Sequence, residues 1–196
     1  MGKQEDKAAL RAAALARRDA LPTDIRIEKS LVATDHGLAS IEIDPGTVVS
    51  GFFPIRSEID PRPLMEGLSK KGARLCLPVV FDKTTIVFRE LLPTAELVDT
   101  GFGTRGPGPE AEVLDPSFLI MPLSVFDYHG GRIGYGAGHY DRAISKIIDR
   151  GIDPFLMGMA FDVQYHEQVP VEAHDQRLRS VLTESGYLPA MQEVEQ

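Results

Sequence analysis

Short apolar runs alternate with helix-forming segments along this 196-residue chain, and this alternation restricts the possible folds more than any other feature. Four of the runs are rich in β-branched and aromatic residues and are bounded by turn signals, as strands are. They cover residues 47–53, 74–80, 118–121 and 154–161. Because strands that alternate with helices form parallel sheets, the sequence predicts an α/β fold. We expect residues 1–196 to form a single domain, a three-layer sandwich with a largely parallel central sheet covered by helices on both faces.

Helices are predicted in four places along the chain. Residues 4–20 are rich in Ala, Leu and Arg, which favour helix. Thr23 or Asp24 can cap a second helix. Two more are predicted, over residues 62–71 and in the segment that ends at Gly151. The second helix is predicted to bury one stripe of residues, formed by Ile27, Leu31, Thr34, Leu38 and Ile41.

Three further segments complete the local predictions. A run at 84–88 follows the strand at 74–80 closely enough for the two to form a hairpin. Residues 93–116 are rich in Gly and Pro and show no periodicity, which predicts a long loop of the kind that is usually functional or mobile. A short strand or helix is expected near Val181.

The charge and the apolar content of the chain exclude several classes of protein. The formal net charge is −8, so any anion site must be a local concentration of cations on an acidic surface. No run approaches the roughly 20 apolar residues that a membrane-spanning helix needs. The single cysteine, Cys76, lies in an apolar run and is expected to be an inert core residue. We expect a cytoplasmic protein that acts as a monomer and binds neither nucleic acid nor membrane.

Residues 131–142, here called the glycine motif, read GRIGYGAGHYDR and contain four glycines within eight residues. The motif is not a Walker loop, because no Gly-Lys-Ser/Thr follows. Nor is it a dinucleotide fingerprint, since the later glycines are spaced G-x-G-x-G and no strand leads directly into them. Its position after a strand and before a helix places free amides where they favour a phosphate. Asp141, in the first turn of that helix, either stabilises the helix dipole or holds Mg²⁺ on a nucleotide.

Charged residues elsewhere have both a structural and a functional interpretation. Lys7, Arg11 and Arg18 share one stripe of the first helix, which is either a solvated charged face or a site for a polyphosphate or a carboxylate tail. Glu58 follows the first predicted strand and is either an exposed loop acid or a hydrogen-bonding partner for a heterocycle. Nothing in the sequence around Asp175 distinguishes it from a surface acid.

Several separated motifs, in the same order, resemble the 5-formyltetrahydrofolate cyclo-ligase family, also called 5,10-methenyltetrahydrofolate synthetases. The most specific is an apolar strand with Pro, then Phe-Asp, then Arg-Leu-Gly-x-Gly-x-Gly-Tyr-Tyr-Asp-Arg in the family. Here it corresponds to Met121-Pro122, Phe126-Asp127 and the glycine motif. The other matching segments are Lys7 to Arg11, Gly51 to Pro54, Glu58 to Asp60, Leu77 to Val80, Gly158 to Phe161, Gln164, Val169-Pro170, His174-Asp175 and Thr183-Glu184.

The resemblance implies an ATP-dependent ligase that converts 5-formyltetrahydrofolate into 5,10-methenyltetrahydrofolate, with MgATP as co-substrate and Mg²⁺ as cofactor. It assigns catalytic roles to Arg132 and Asp141, and metal binding to Asp141 and Asp175. The residues that it assigns to ATP are Lys7, Arg11, Arg132, Ile133, Gly134, Tyr135, Gly136, Ala137, Gly138, His139 and Tyr140. Those that it assigns to the folate are Phe53, Glu58, Tyr135, Gly136, Ala137, Gly138 and His139.

The chain departs from the family pattern at a few positions. Many members have Arg, Lys and Tyr where this chain has Tyr135, Ala137 and His139, so a cation that could meet the γ-phosphate is absent at position 137. The family's Glu-Pro near residue 106 is Gly106-Pro107 here, and a second C-terminal aspartate of some members is Arg179.

Two other functions fit parts of the pattern. A non-catalytic nucleotide- or folate-binding regulator on the same fold is favoured by Ala137 and Gly106. A sugar-phosphate isomerase is disfavoured, because Asp141 and Asp175 favour MgATP.

Overall fold

The structure is a computed structural model that describes residues 3–82, 84–101, 103–172 and 175–191. The helices of the described residues are α1 (Lys3–Asp19), α2 (Thr23–Ser40), α3 (Arg62–Lys70) and α4 (His139–Asp149), with a 3₁₀ turn at Asp162–Gln164. The strands are β1 (Val48–Ser50), β2 (Arg74–Val80), β3 (Ile86–Glu90), β4 (Leu97–Gly101), β5 (Thr104–Pro107), β6 (Val113–Leu114), β7 (Phe118–Pro122), β8 (Val125–Phe126), β9 (Arg132–Ile133), β10 (Phe155–Met159), β11 (Ser180–Thr183) and β12 (Gly186–Pro189).

Eight strands form the central sheet, in the order β12-β11-β10-β7-β1-β2-β3-β6. The five neighbouring strands from β11 to β2 are parallel. The strands at both edges are antiparallel, and β2 and β3 form the predicted hairpin. The prediction of a largely parallel α/β sheet is confirmed.

Side chains alternate between the two faces of the sheet, as the two-residue period of a strand requires. Along β7, Phe118 and Ile120 join one apolar cluster, whereas Leu119 and Met121 join another. Helices α2 and α3 contribute Ala33, Leu64 and Leu68 to the first cluster. Helix α4 contributes Ala143, Ile144 and Ile147 to the second. Helices therefore cover both faces, which confirms the three-layer arrangement.

The prediction for α2 is wrong at its cap and at two residues of its predicted stripe, whereas Thr34 and Ile41 are buried and Leu38 packs against the first apolar cluster, as predicted. Ile27 and Leu31 are 59% and 49% exposed. Pro22 occupies the N-cap position, and no side chain caps the helix. The buried residues of α2 are small or weakly polar because the helix packs closely. A Cβ on Gly37, for example, would lie 2.8 Å from Leu182. The buried residues of this helix are Ser30, Ala33, Thr34 and Gly37.

The 93–116 segment is not the long irregular loop that its composition predicted. It contains the antiparallel hairpin of β4 and β5, and β6 then joins the edge of the main sheet. Gly101 and Gly103 have φ values of +88° and +78°, which a hairpin turn requires and glycine adopts freely. The glycines that obscured any strand period therefore form part of the turn.

Two smaller predictions are resolved by the strands. Strand β1 is shorter than the predicted run, and the region of Val181 is a strand paired with β10 and β12.

Cys76 is fully buried, and burial raises the pKa of its thiol to about 12, as expected of an inert core cysteine. Among the described residues, no helix is long and apolar enough to cross a membrane.

Candidate active site

A cleft with a volume of about 850 Å³ lies at the carboxyl ends of the parallel strands. Phe53, which follows β1, and Pro122, the last residue of β7, form part of its wall. This edge of a parallel sheet is where α/β proteins place their ligands. Every site residue that the family resemblance assigns borders the cleft, namely Lys7, Arg11, Phe53, Glu58, Asp141, Asp175 and all residues from Arg132 to Tyr140. Arg18, the third cation of the α1 stripe, does not line it.

The start of the glycine motif is held by the buried carboxylate of Asp127. The Asp127 side chain accepts hydrogen bonds from the backbone N–H groups of His129, Gly131 and Val169, at 2.9, 2.8 and 2.7 Å. A Cβ on Gly131 would lie 2.6 Å from Asp127 Oδ2, so a larger residue does not fit there. The close approach required of this glycine is therefore to a carboxylate that anchors the motif.

The two-residue strand β9 pairs with β8 and leads directly into Gly134, contrary to the expectation that no strand does so. From there the chain turns into α4 through Gly136 and Gly138, whose φ values are +99° and +63°. Gly138 is the N-cap residue of α4. The N-terminal end of this helix therefore borders the cleft, where its free amides favour an anion.

The three cations of the α1 stripe all point inward, so the interpretation as a solvated face is wrong. Arg11 Nε donates to Gly134 O at 2.7 Å and ties α1 to the glycine motif. Lys7 Nζ lies 2.6 Å from Asp175 Oδ2 and 3.0 Å from Glu172 Oε2. Burial lowers the pKa of Lys7, but the two carboxylates outweigh this effect and the pKa is raised overall. Lys7 is therefore a fixed positive charge in the cleft.

Asp141 is in the first turn of α4, as predicted, and is bonded to Arg132. Arg132 Nη2 lies 2.6 Å from Asp141 Oδ1, and the Arg132 side chain is 6% exposed. The backbone N–H of Gln176 donates to the same oxygen at 3.1 Å, and Arg132 Nε donates to Gln176 O. The C-terminal segment thus brings Asp175 to the same wall as Asp141.

Glu58 is largely buried, so the interpretation as an exposed loop acid is wrong. Its Oε2 accepts the backbone N–H of Ile55 at 2.8 Å, while Oε1 is buried without a hydrogen-bond partner among the described residues. Burial raises the pKa of Glu58, although the Ile55 N–H, the Tyr135 hydroxyl and nearby cations oppose the shift. The buried hydroxyl of Tyr140 also has no partner among the described residues. Both residues border the cleft, so each brings a buried polar atom without a hydrogen bond to its wall.

Three residues of the glycine motif that depart from the family pattern border the cleft. The Tyr135 hydroxyl accepts a hydrogen bond from Arg18 Nη2 at 3.1 Å. Ala137 is exposed, and its carbonyl accepts from Arg142 Nη2 at 2.7 Å. The side chain of His139 borders the cleft at the first position of α4.

Sequence reasoning missed several residues that border the cleft. Glu172 has no local pattern that marks it, and it is recognised only through its contact with Lys7. Arg105 belongs to the hairpin that was predicted to be a loop. Arg142 closes the glycine motif, and Lys146 follows one helical turn later, so α4 could have indicated both. These three cations add positive charge to an acidic protein at this cleft.

Metal binding by Asp141 and Asp175 stays a prediction. Asp141 and Asp175 both border the cleft, but each is paired with a cation. No group of three or more His, Cys, Asp or Glu residues suited to a metal is present in the described parts of the chain. His174, which belongs to the matching C-terminal segment, lies outside the described residues.

Comparison with known proteins identifies the family. A model of the 5-formyltetrahydrofolate cyclo-ligase family matches residues 3–184. The 5-formyltetrahydrofolate cyclo-ligase of Escherichia coli strain K12 is 31% identical over 175 residues, which are 86% of this chain and 95% of the relative. The 5-formyltetrahydrofolate cyclo-ligase of Mus musculus is 26% identical over 192 residues, which are 92% of this chain and 94% of that relative.

A solved structure supports the same assignment. The 5,10-methenyltetrahydrofolate synthetase of Aquifex aeolicus superposes with a TM-score of 0.79 at 26% identity, and the match covers 97% of this chain and 95% of that one. The similarity therefore extends over the sheet, the helices and the cleft. The chain belongs to the 5-formyltetrahydrofolate cyclo-ligase family.

Proposed function

We propose that this protein catalyses the ATP-dependent cyclisation of 5-formyltetrahydrofolate to 5,10-methenyltetrahydrofolate, with release of ADP and phosphate. Membership of the family supports this reaction. The structural observation that carries it is that one cleft joins two unlike halves. Cations, backbone amides and two aspartates line one half, and the unpartnered carboxylate oxygen of Glu58 lies in the other.

The first half of the cleft binds the ATP phosphates. Lys7 and Arg11 supply charge from α1, and the motif from Arg132 to Tyr140 supplies backbone amides at the start of α4. Arg132 is the residue best suited to stabilise the charge that develops on the transferred phosphoryl group, because its guanidinium is fixed by Asp141 and Gln176. Preorganised donors of this kind need little rearrangement during the reaction.

Asp141 and Asp175 fit a magnesium ion by their chemistry. Mg²⁺ in nucleotide sites binds one or two carboxylates, and phosphates and water complete its shell, so a preformed cluster of three acids is not required. Both carboxylates border the cleft, and the Asp141–Gln176 hydrogen bond joins their segments. A bound Mg²⁺ would neutralise charge on the phosphates.

The second half of the cleft binds the folate ring. Glu58 Oε1 can accept an N–H from the pterin, and Phe53 provides an apolar wall. Residues 135–139 border both halves, so the same backbone contacts the nucleotide and positions the folate beside it. This arrangement supports direct transfer between two bound substrates.

The proposed reaction has two bond-forming steps. The formyl oxygen of the substrate attacks the γ-phosphorus, the bond from that phosphorus to the β-phosphate oxygen breaks, and ADP leaves. The formyl carbon, now activated by a phosphate leaving group, is attacked by the neighbouring N10 amine of the folate. Loss of phosphate and of the N10 proton gives the methenyl product. The protein contributes positioning and charge stabilisation, as in other phosphoryl transfers.

The proposal is tested by mixing the purified protein with MgATP and 5-formyltetrahydrofolate and following the near-ultraviolet absorbance of the product. Product formation that requires protein, ATP and folate together is expected. A non-catalytic binder would bind both ligands without turnover, and that result at neutral pH would overturn the proposal.

Cytoplasmic location, the monomeric state and the absence of nucleic-acid and membrane partners stay predictions of the sequence.

A further inference from the structure

We infer that Arg18, at the C-terminal end of α1, is a positioning residue for the folate half of the site. Its guanidinium supplies a positive charge beside Glu58 and holds the Tyr135 hydroxyl, so that Glu58 is positioned to present an acceptor to the ring N–H groups of the ligand. The identity of that ligand rests on the proposed function, whereas the effect of Arg18 on Glu58 does not.

Arg18 is buried to an extent that is unusual for an arginine, with 1% of its side chain exposed. Its Nε donates to Ser57 Oγ at 2.9 Å, and its Nη2 donates to Tyr135 OH at 3.1 Å. Ser57 immediately precedes Glu58, and Tyr135 belongs to the glycine motif. A single guanidinium therefore connects the two segments that surround Glu58.

The remaining donor of Arg18 and the remaining acceptor of Glu58 are complementary. Arg18 Nη1 and Glu58 Oε1 are both buried and without a hydrogen-bond partner among the described residues. Both residues border one narrow space, which shares Phe52, Glu58 and Pro122 with the cleft wall. Arg18 Nε also lies 3.9 Å from Asp19 Oδ1, in a carboxylate whose side chain is 58% exposed. Because opposite charges attract more strongly where water is excluded, the buried carboxylate of Glu58 and the guanidinium of Arg18 stabilise each other even without direct contact.

The carboxylate of Glu58 needs a positive charge nearby because it is largely buried. Burial raises its pKa, and the Ile55 N–H, the Tyr135 hydroxyl and then the charges of Arg18 and Arg56 oppose that rise. The titratable groups that face it are Arg18 from α1, Arg56 from its own loop, Tyr135 from the glycine motif and Tyr140 from α4. A protonated Glu58 would present a donor where the ligand also presents donors, and a hydrogen bond would be lost.

The first test measures the carboxyl titration of Glu58 by carbon NMR, without any ligand. Arg18→Gln removes the charge but keeps donors near Ser57 and Tyr135, and we expect it to raise the pKa of Glu58 above that of the wild type. Arg18→Lys keeps the positive charge, so the pKa of Glu58 in this variant should stay close to that of the wild type. The matched control is Arg17→Gln, because Arg17 is exposed and donates to Val163 O and Tyr165 O instead. An unchanged Glu58 titration in folded Arg18→Gln would overturn the inference.

The second test measures the dissociation constant of 5-formyltetrahydrofolate against pH. Because neutralising Arg18 raises the pKa of Glu58, Arg18→Gln should move the loss of affinity at acid pH to higher pH. In a Glu58→Gln background the same change should alter affinity less than about twofold, since the group through which Arg18 acts is gone. If Arg18→Gln lowers the affinity for 5-formyltetrahydrofolate equally at every pH, in both the wild-type and the Glu58→Gln background, the role of Arg18 is merely structural and the inference is overturned.

The two tests separate this inference from the proposed function. If the wild-type protein does not bind 5-formyltetrahydrofolate, the proposed function fails, and the NMR titration still decides whether Arg18 controls Glu58. If Arg18→Gln does not fold, Arg18→Lys provides the test. It keeps the charge, so its Glu58 titration should stay close to that of the wild type, and a clear rise in the pKa of Glu58 in this variant would contradict the role of the charge.

Discussion

Arg132 and Asp141 form an ion pair across the cleft wall, with 2.6 Å between Nη2 and Oδ1. Lys7 and Asp175 form a second pair at the same distance. In each pair one partner is proposed to bind phosphate and the other to bind the metal. The protein therefore balances the charges of its nucleotide half internally, and binding of MgATP is expected to add contacts to the ligand while the pairs keep their side chains in place.

Arg132→Ala tests the role of the guanidinium in phosphoryl transfer. We expect kcat to fall about 100- to 1,000-fold, as for the loss of a preorganised donor, with a smaller change in the KM for ATP. Steady-state rates with both substrates varied would measure this. Arg150→Ala is the matched control, because Arg150 is exposed and pairs with Asp115 at the far end of α4. An unchanged kcat in Arg132→Ala would refute the assigned role.

Asp141→Asn tests metal binding at the start of α4. The amide is close in size to the carboxylate but is a much weaker ligand for Mg²⁺, so the magnesium concentration for half-maximal activity should rise severalfold. Asp149→Asn provides the control, since Asp149 is exposed in the last turn of the same helix. Identical magnesium titrations for Asp141→Asn and the wild type would count against coordination by Asp141.

Ala137→Lys restores the cation that many family members have in the glycine motif. Ala137 is exposed and borders the cleft, so the longer side chain can reach solvent or the bound phosphates. The KM for ATP should fall severalfold, with a steeper dependence on ionic strength, since the new interaction is electrostatic. Ala39→Lys adds the same charge at an exposed position of α2 and should change neither quantity. A higher KM in Ala137→Lys would contradict the prediction.

Gly131→Ala tests the anchoring of the glycine motif by Asp127. Its Cβ would lie 2.6 Å from Asp127 Oδ2, so the free energy of unfolding should fall by about 1–3 kcal/mol. For a chain of this size, each lost kcal/mol lowers Tm by roughly 2–4 °C. Thermal unfolding would measure the loss. Gly134→Ala is the control, because the nearest side-chain atom to its Cβ would be 4.0 Å away. Equal melting temperatures for the two variants would contradict the anchoring role.

The sequence predicted the architecture well because strands buried on both faces form short, continuous apolar runs rich in β-branched and aromatic residues. The runs at 74–80 and 118–121 became β2 and β7, and their alternate residues separate into the two cores. Prediction failed where packing depends on small residues. Ile27 and Leu31 have the spacing of a buried stripe, but α2 approaches the sheet through Gly37 and leaves them exposed.

The site residues were predictable to the extent that they belong to contiguous motifs. The glycine motif and the Lys7–Arg11 spacing located one half of the cleft from the sequence. The contacts of Arg18 with Ser57 and Tyr135 were not predictable, because these residues are 39 and 117 positions away and no periodicity relates them. The pairing of Lys7 with Glu172 was not predictable for the same reason, because the two residues are 165 positions apart.

The proposed reaction is tested most directly by its stoichiometry in a single assay. With limiting ATP, saturating 5-formyltetrahydrofolate and Mg²⁺, the near-ultraviolet absorbance of the methenyl product and the amount of ADP are measured together. We predict one methenyl product for each ADP formed, and none when ATP or the folate is omitted. ADP formed without methenyl product, or no product above a protein-free control, would contradict the proposed function.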